Sequence, residues 1–159
     1  DKGHTEGLEP AITETLVDLI ARRDPLSLRS RIELARQVAS ALAAAHAQGV
    51  VHGGLKAGNV GLADGQPRLL DFGSGLAMQG IAAESTRSGP VLDGIRYMAP
   101  EVLEGQPPSE RSDVYAVGVL LYEVLSYERP FAAPSVAGIV KKIVNQQIRA
   151  LTQIDPAFP

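Results

Sequence analysis

Apolar residues recur at helical spacing in the first part of the chain, where Thr13 to Arg22 carries Leu16, Leu19 and Ile20 on one side. Asp24 followed by Pro25 stops that pattern, which predicts a short helix. From Ser27 to Gln48, Ile32, Ala35, Val38, Ala39, Leu42 and Ala45 return on one face, and Gly49 is placed to end this longer helix in a left-handed conformation. The rhythm then changes. "VGL" at 60–62 and "RLL" at 68–70 flank "ADGQP", in which Asp64 and Gly65 supply turn chemistry, so a small hairpin is expected. Residues 74–96 are rich in Gly, Ser and Thr without a sustained period and read as a long loop of the kind that carries function. "PPSERSD" leads into Val114 to Leu125, apolar nearly all round, which predicts a helix through the core. Ser135 can cap a last helix to about Gln147, after which "DPAFP" breaks the order. The expected fold class is mainly α with a small β hairpin, and no internal repeat or low-complexity tract interrupts it.

Composition narrows the classes of function. A chain of 159 residues with 45% apolar content and a net charge of -3 suits one compact domain. Lys and Arg are scattered, which gives no electrostatic footprint for nucleic acid or an anionic membrane, so neither is expected as a partner. The run from Val114 is broken by Glu123 and falls short of the roughly 20 apolar residues that a membrane span needs. The absence of cysteine removes disulfides and thiolate metal sites, and agrees with the reducing cytoplasm as the expected compartment. The opening "DKGHTEG" lacks the basic end and apolar centre of a secretory signal, and residues 1–8 read as an extension or junction.

Five phrases in order change the picture: "VVHGGLKAGNV", "LLDFGSG", "RYMAPE", "SDVYAVGVLLYEVL" and "ERPF". Together they resemble the carboxy-terminal lobe of a eukaryotic-like serine/threonine protein kinase of the bacterial type, over Glu9 to Pro159. The resemblance implies that 52–59 is the catalytic loop, 71–101 the activation segment, and the helix from Val114 the central one of the lobe. It also implies that the amino-terminal lobe and the last helices of the fold lie outside residues 9–159. The upper face around Val51, Leu62 and Leu70, which that other lobe would cover, is then expected to be bare.

A kinase transfers a phosphoryl group mainly by positioning and charge neutralisation. By resemblance, Asn59 and Asp71 match the two positions that hold Mg²⁺, and their oxygen donors suit that hard cation. Lys56 matches the lysine beside the transferred phosphate. The base position is Gly54, which has no side chain to accept a proton or orient a hydroxyl. The preceding arginine position is Gly53, and Gly94 stands where a threonine would touch both base and lysine. Neither G-x-G-x-x-G nor G-x-x-x-x-G-K-[ST] is present to cover or cradle the phosphates.

Each of these residues also has a plainer reading. His52 is expected as a packed, hydrogen-bonded residue rather than a catalyst. Asn59 and Asp71 can brace a strand end, and Lys56 can be a solvated cation. Ser85, Thr86 and Ser88 sit where kinases are phosphorylated, yet such clusters are ordinary in loops. Asp113 is expected, by resemblance, to accept hydrogen bonds from the catalytic-loop backbone, and equally favours the start of its helix. Glu101 is expected to pair with an arginine of the later helices. The resulting expectation is a catalytically silent, pseudokinase-like module that binds a protein partner or flanking domains of its own polypeptide. It would have at most weak affinity for Mg²⁺ and ATP and a tendency to self-associate. A serine/threonine kinase whose other lobe lies outside this chain, and a structural remnant without ligand, are the alternatives.

Overall fold

The computed structural model describes residues 10–23, 25–74, 89–145 and 148–158. The expected phosphorylation positions Ser85, Thr86 and Ser88, the extension at 1–8 and the helix stop at Asp24 lie outside them. Among the described residues the mainly α architecture with one small antiparallel sheet agrees with the expected fold class.

The sheet has three strands rather than a hairpin's two, in the order β1 (Glu14–Thr15), β2 (Val60–Ala63), β3 (Gln66–Leu69). Asp64 and Gly65 both have positive φ, 50° and 74°, so β2 and β3 are joined by a tight two-residue turn whose twist suits them. β1 was expected to be the first turn of a helix. Instead the Thr13 amide and hydroxyl both donate to the Leu62 carbonyl, at 3.0 and 3.2 Å, and Glu14 pairs with Leu62. The strand edge offers these groups partners that a helix end leaves unsatisfied. Helix α1 (Leu16–Arg22) therefore starts later, with Asp18 Oδ2 accepting from the Thr15 amide at 2.9 Å.

This strand also corrects the expectation of a bare upper face. Leu62 is 5% exposed, and Val51 and Leu70 are half-buried. Ile12 folds over Gly61 towards Leu70, so close that a Cβ at Gly61 would lie 2.7 Å from Ile12 Cγ2 and 3.0 Å from Leu70 Cδ1.

Helix α2 (Leu28–His46) is capped by Ser27 Oγ, which accepts from the Ser30 amide at 3.1 Å, and its chain reverses at Gly49 with φ 71°. Its buried stripe is Leu34, Ala35, Val38 and Leu42. Ile32, expected in that stripe, is 49% exposed, because it lies roughly 100° round the helix from the stripe's centre.

Part of the expected long loop is helical: α3 spans Gly89–Ile95. Two turns are too short to show a period, but Leu92 and Ile95 lie three apart and pack into the core. Helix α4 (Pro100–Leu103) follows with Pro at its start. Helix α5 (Glu110–Ser126) begins before the apolar run, with Ser109 Oγ accepting from the Ser112 amide at 3.2 Å. It runs through the core, with Leu120 and Val124 fully buried, although Val114 is 60% exposed. Helix α6 (Val136–Asn145) buries Ile139 and Ile143, and α7 (Leu151–Ile154) closes the fold. The terminal "DPAFP" keeps order through Phe158: its amide donates to the Asp155 carbonyl at 3.1 Å and its ring is buried.

Candidate functional site

The site is built on the stretch from Val51 to Asn59, between the end of α2 and β2. Few of these residues are in regular structure, so their backbone groups need partners from elsewhere. Asp113, in the first turn of α5 and 2% exposed, provides them: the His52 amide donates to its Oδ2 at 2.7 Å and the Gly53 amide to its Oδ1 at 2.9 Å. This geometry matches the expectation for Asp113. The sequence reading missed His46, whose Nε2 lies 2.9 Å from Asp113 Oδ2 and completes the carboxylate's shell. A histidine in the last turn of a helix is the only signal it leaves in the sequence.

His52 is fully buried. Its Nε2–H donates to the Leu70 carbonyl at 2.9 Å, its ring packs 4.4 Å from that of Phe72, and burial holds its pKa below the usual histidine value. The Gly73 amide donates back to the His52 carbonyl at 2.6 Å, tying "DFG" to the loop. Gly53 has φ 71°, a conformation that favours glycine, and a Cβ there would meet Pro108 Cβ at 3.4 Å. Asn59, in the 3₁₀ turn Ala57–Asn59, donates through Nδ2 to the Gly54 carbonyl at 2.8 Å and to Ser74 Oγ at 3.2 Å.

These residues face one cleft of about 490 Å³, lined among others by Gly53, Gly54, Lys56, Asn59, Asp71 and Gly94. Every position singled out for phosphoryl chemistry is thus brought together. Phe72, Met98, Val102 and Pro108 give the cleft apolar walls. Asp71 is exposed, in a left-handed conformation at φ 55°, and its carboxylate has no hydrogen bond or ion pair among the described residues. The Asn59 amide nitrogen is committed to Gly54, which leaves Oδ1 as its acceptor. A carboxylate without a partner among the described residues and an amide oxygen, at one cleft, form a donor set of the kind that fits a hard divalent cation, which would supply charge neutralisation there. Among the described residues no cluster of three or more His, Asp or Glu could hold a metal ion by itself. Lys56 is half-buried, and its ammonium has no ion pair among the described residues.

Glu101, expected to meet an arginine, is half-buried with no ion pair among the described residues. Beside the cleft, the Tyr97 hydroxyl donates to Glu123 Oε2 at 2.6 Å in the core. Burial, reinforced by the Glu123 charge, raises the Tyr97 pKa, and burial raises that of Glu123. Sequence reading took Glu123 only as an interruption of an apolar run. Among the described residues no helix is long and apolar enough to cross a membrane.

Comparison with known proteins bears on the family of the chain. The family model described as the protein kinase domain matches residues 7–159. The serine/threonine-protein kinase PknA of Mycobacterium tuberculosis is 37% identical over 134 residues, 84% of this chain and 31% of the relative. PknL of the same organism is 36% identical over 147 residues, 91% of this chain and 36% of the relative. The probable serine/threonine-protein kinase PknB of Lactococcus lactis is 30% identical over 146 residues, 91% of this chain and 23% of the relative. This chain thus spans about a third or less of the length of these curated relatives. With its family model matched almost from end to end and bacterial serine/threonine kinases among its relatives, the chain belongs to the protein kinase domain family.

Proposed function

We propose that this chain is a catalytically silent kinase-like domain that works by binding, as an interaction or regulatory module for a protein partner or for flanking domains of its own polypeptide. One observation carries the reading: Asp113 and Asn59 hold the loop in place, yet Gly53 and Gly54 present no side chain to the cleft. A positioned base contributes about 10²- to 10⁴-fold to a proton-transfer step, and at Gly54 there is none. The scaffold of the loop remains while its charged working positions are empty. Incubation of the purified chain with Mg²⁺ and radiolabelled ATP is expected to label neither the chain nor a generic basic protein. Label above a blank, abolished by Asp71→Ala, would overturn the proposal. Gly54→Asp alone is expected to leave the chain inactive, since nothing in G-x-G-x-x-G form is present to hold the phosphates.

A second reading, a serine/threonine kinase completed by further parts of a longer protein, is favoured by Asn59 and Asp71 lining one cleft with acceptor oxygens available. It predicts tight nucleotide binding. A thermal shift at micromolar ATP with Mg²⁺, absent with ATP alone, would support it. A shift only at far higher concentration supports the binding module, because two metal ligands without an enclosing adenine pocket leave most of the nucleotide in water.

A further inference from the structure

Residues 93–97 carry a charge cluster that the phosphoryl chemistry does not use. Asp93, near the end of α3, accepts a hydrogen bond from Arg96 Nη1 and lies 3.7 Å from Arg129 Nη1. The Asp93 side chain is 46% exposed, whereas that of Arg96 is only 12% exposed. Deeper in the core lies Glu123 of α5, with Tyr97 bonded to its Oε2. Among the described residues its other oxygen, Oε1, is buried without a hydrogen-bond partner, and so is Arg96 Nε. One orphan is a guanidinium donor and the other a carboxylate acceptor; Arg96 directly precedes Tyr97, which bonds that same carboxylate, and the Arg96 charge favours the ionised Glu123. Buried polar groups without partners are rare and costly, and these two are chemically complementary. The Arg96–Asp93 pair is half exposed on its Asp93 side, where solvent screening weakens it.

We propose that Arg96 is a two-position latch: Asp93 holds it outward in the state described here, and when Asp93 is neutralised its Nε–H turns onto Glu123 Oε1. Asp93 is the accessible handle, because its carboxylate reaches solvent while Glu123 does not. A cation brought by a partner would release Arg96. Among the described residues the charged and titratable groups facing Asp93 are Arg96 and Arg129, and those acting on Glu123 are Tyr97, Arg129, Arg96 and Asp93. Gly94, Tyr97 and Met98 line the cleft, so turning Arg96 changes the cleft's wall. The latch thereby links a surface charge to the shape of the candidate site, whichever reading of that site holds.

The test is a titration of the Glu123 carboxyl carbon by nuclear magnetic resonance in the wild-type chain and in Asp93→Asn. Arrival of a guanidinium at Oε1 favours the ionised carboxylate, so the Glu123 midpoint is expected to fall by about one pH unit, a tenfold loss of proton affinity. Removing the Asp93 charge also lowers the midpoint through space, so the substitution is repeated in two backgrounds. Arg96→Met has no guanidinium, and Arg96→Lys keeps the charge without an Nε–H. In whichever of these backgrounds folds, Asp93→Asn is expected to lower the midpoint by less than about half as much. An equal fall with and without Arg96, or no fall in the wild-type background, overturns the latch. A water molecule bridging the two orphans would give the second of these results.

Discussion

Gly53 and Gly118 should respond in opposite directions to the same added methyl group. Gly53 sits at φ 71°, so Gly53→Ala forces an L-residue into the left-handed region and is expected to destabilise the fold by about 1 kcal/mol. Gly118 lies inside α5 with nothing within 4 Å of the place its Cβ would take. Gly118→Ala is expected to stabilise by about 0.5–1 kcal/mol, because the unfolded chain loses freedom and the helix gains a better former. Urea unfolding of both variants checks the signs. His52 gives a pH dependence. Burial lowers its pKa in the folded chain, so below the usual value of about 6.5 the unfolded chain binds the proton first and stability falls as pH drops. That contribution is fully present above about 6.5 and is lost as pH falls through the folded pKa. Unfolding free energies measured between pH 7 and 5 are expected to show this slope, and a flatter one in His52→Gln.

Helix α5 joins two parts of the molecule that the sequence leaves far apart. Its Asp113 holds the His52 and Gly53 amides and the His46 ring, so Asp113→Ala leaves two backbone donors and that ring without their acceptor and is expected to cost about 2–5 kcal/mol. Hydrogen exchange is expected to quicken at those two amides, while the amide of Ser112, held by the Ser109 cap, keeps its protection. The elements that were legible in the sequence are those whose reasons are local. The Asp64–Gly65 turn fixed the hairpin, and Ser27 and Ser135 marked helix starts. What stayed hidden depends on distant partners. Strand β1 follows from Thr13 meeting a carbonyl 49 residues away, and His46 reaches a carboxylate 67 residues away. The gathering of Gly54, Lys56, Asn59 and Asp71 was legible because the order of the phrases resembles a known lobe. The Tyr97–Glu123 pair was not, since a lone acid in an apolar run gives no hint of the hydroxyl that meets it.

At the scale of the molecule, Ile12, Val50 and Phe72 remain 39%, 44% and 45% exposed even though β1 has covered Leu62. Apolar surface of this kind favours association when it is contiguous. We propose that the chain self-associates through exposed apolar side chains such as these when no partner covers them. Sedimentation over a rising concentration series is expected to show association, weakened in Phe72→Ser, and a monodisperse monomer throughout would overturn the idea. Arg31 has a different consequence. Its guanidinium donates to the Leu125 carbonyl, lies 5.0 Å from the Tyr127 ring centre and 5.9 Å from that of Phe158, and so fastens α2 to the end of α5 and to the last described residues. The contact with Leu125 closes a loop of 94 residues, and the entropy of closing so long a loop is met before the contact gives anything back. Such a contact is expected to form after the rate-limiting step of folding. Arg31→Ala is therefore expected to leave the refolding rate nearly unchanged and to speed unfolding, so that stopped-flow traces show the stability loss almost wholly in the unfolding limb. The arginine then governs how long the folded chain lasts rather than how fast it forms.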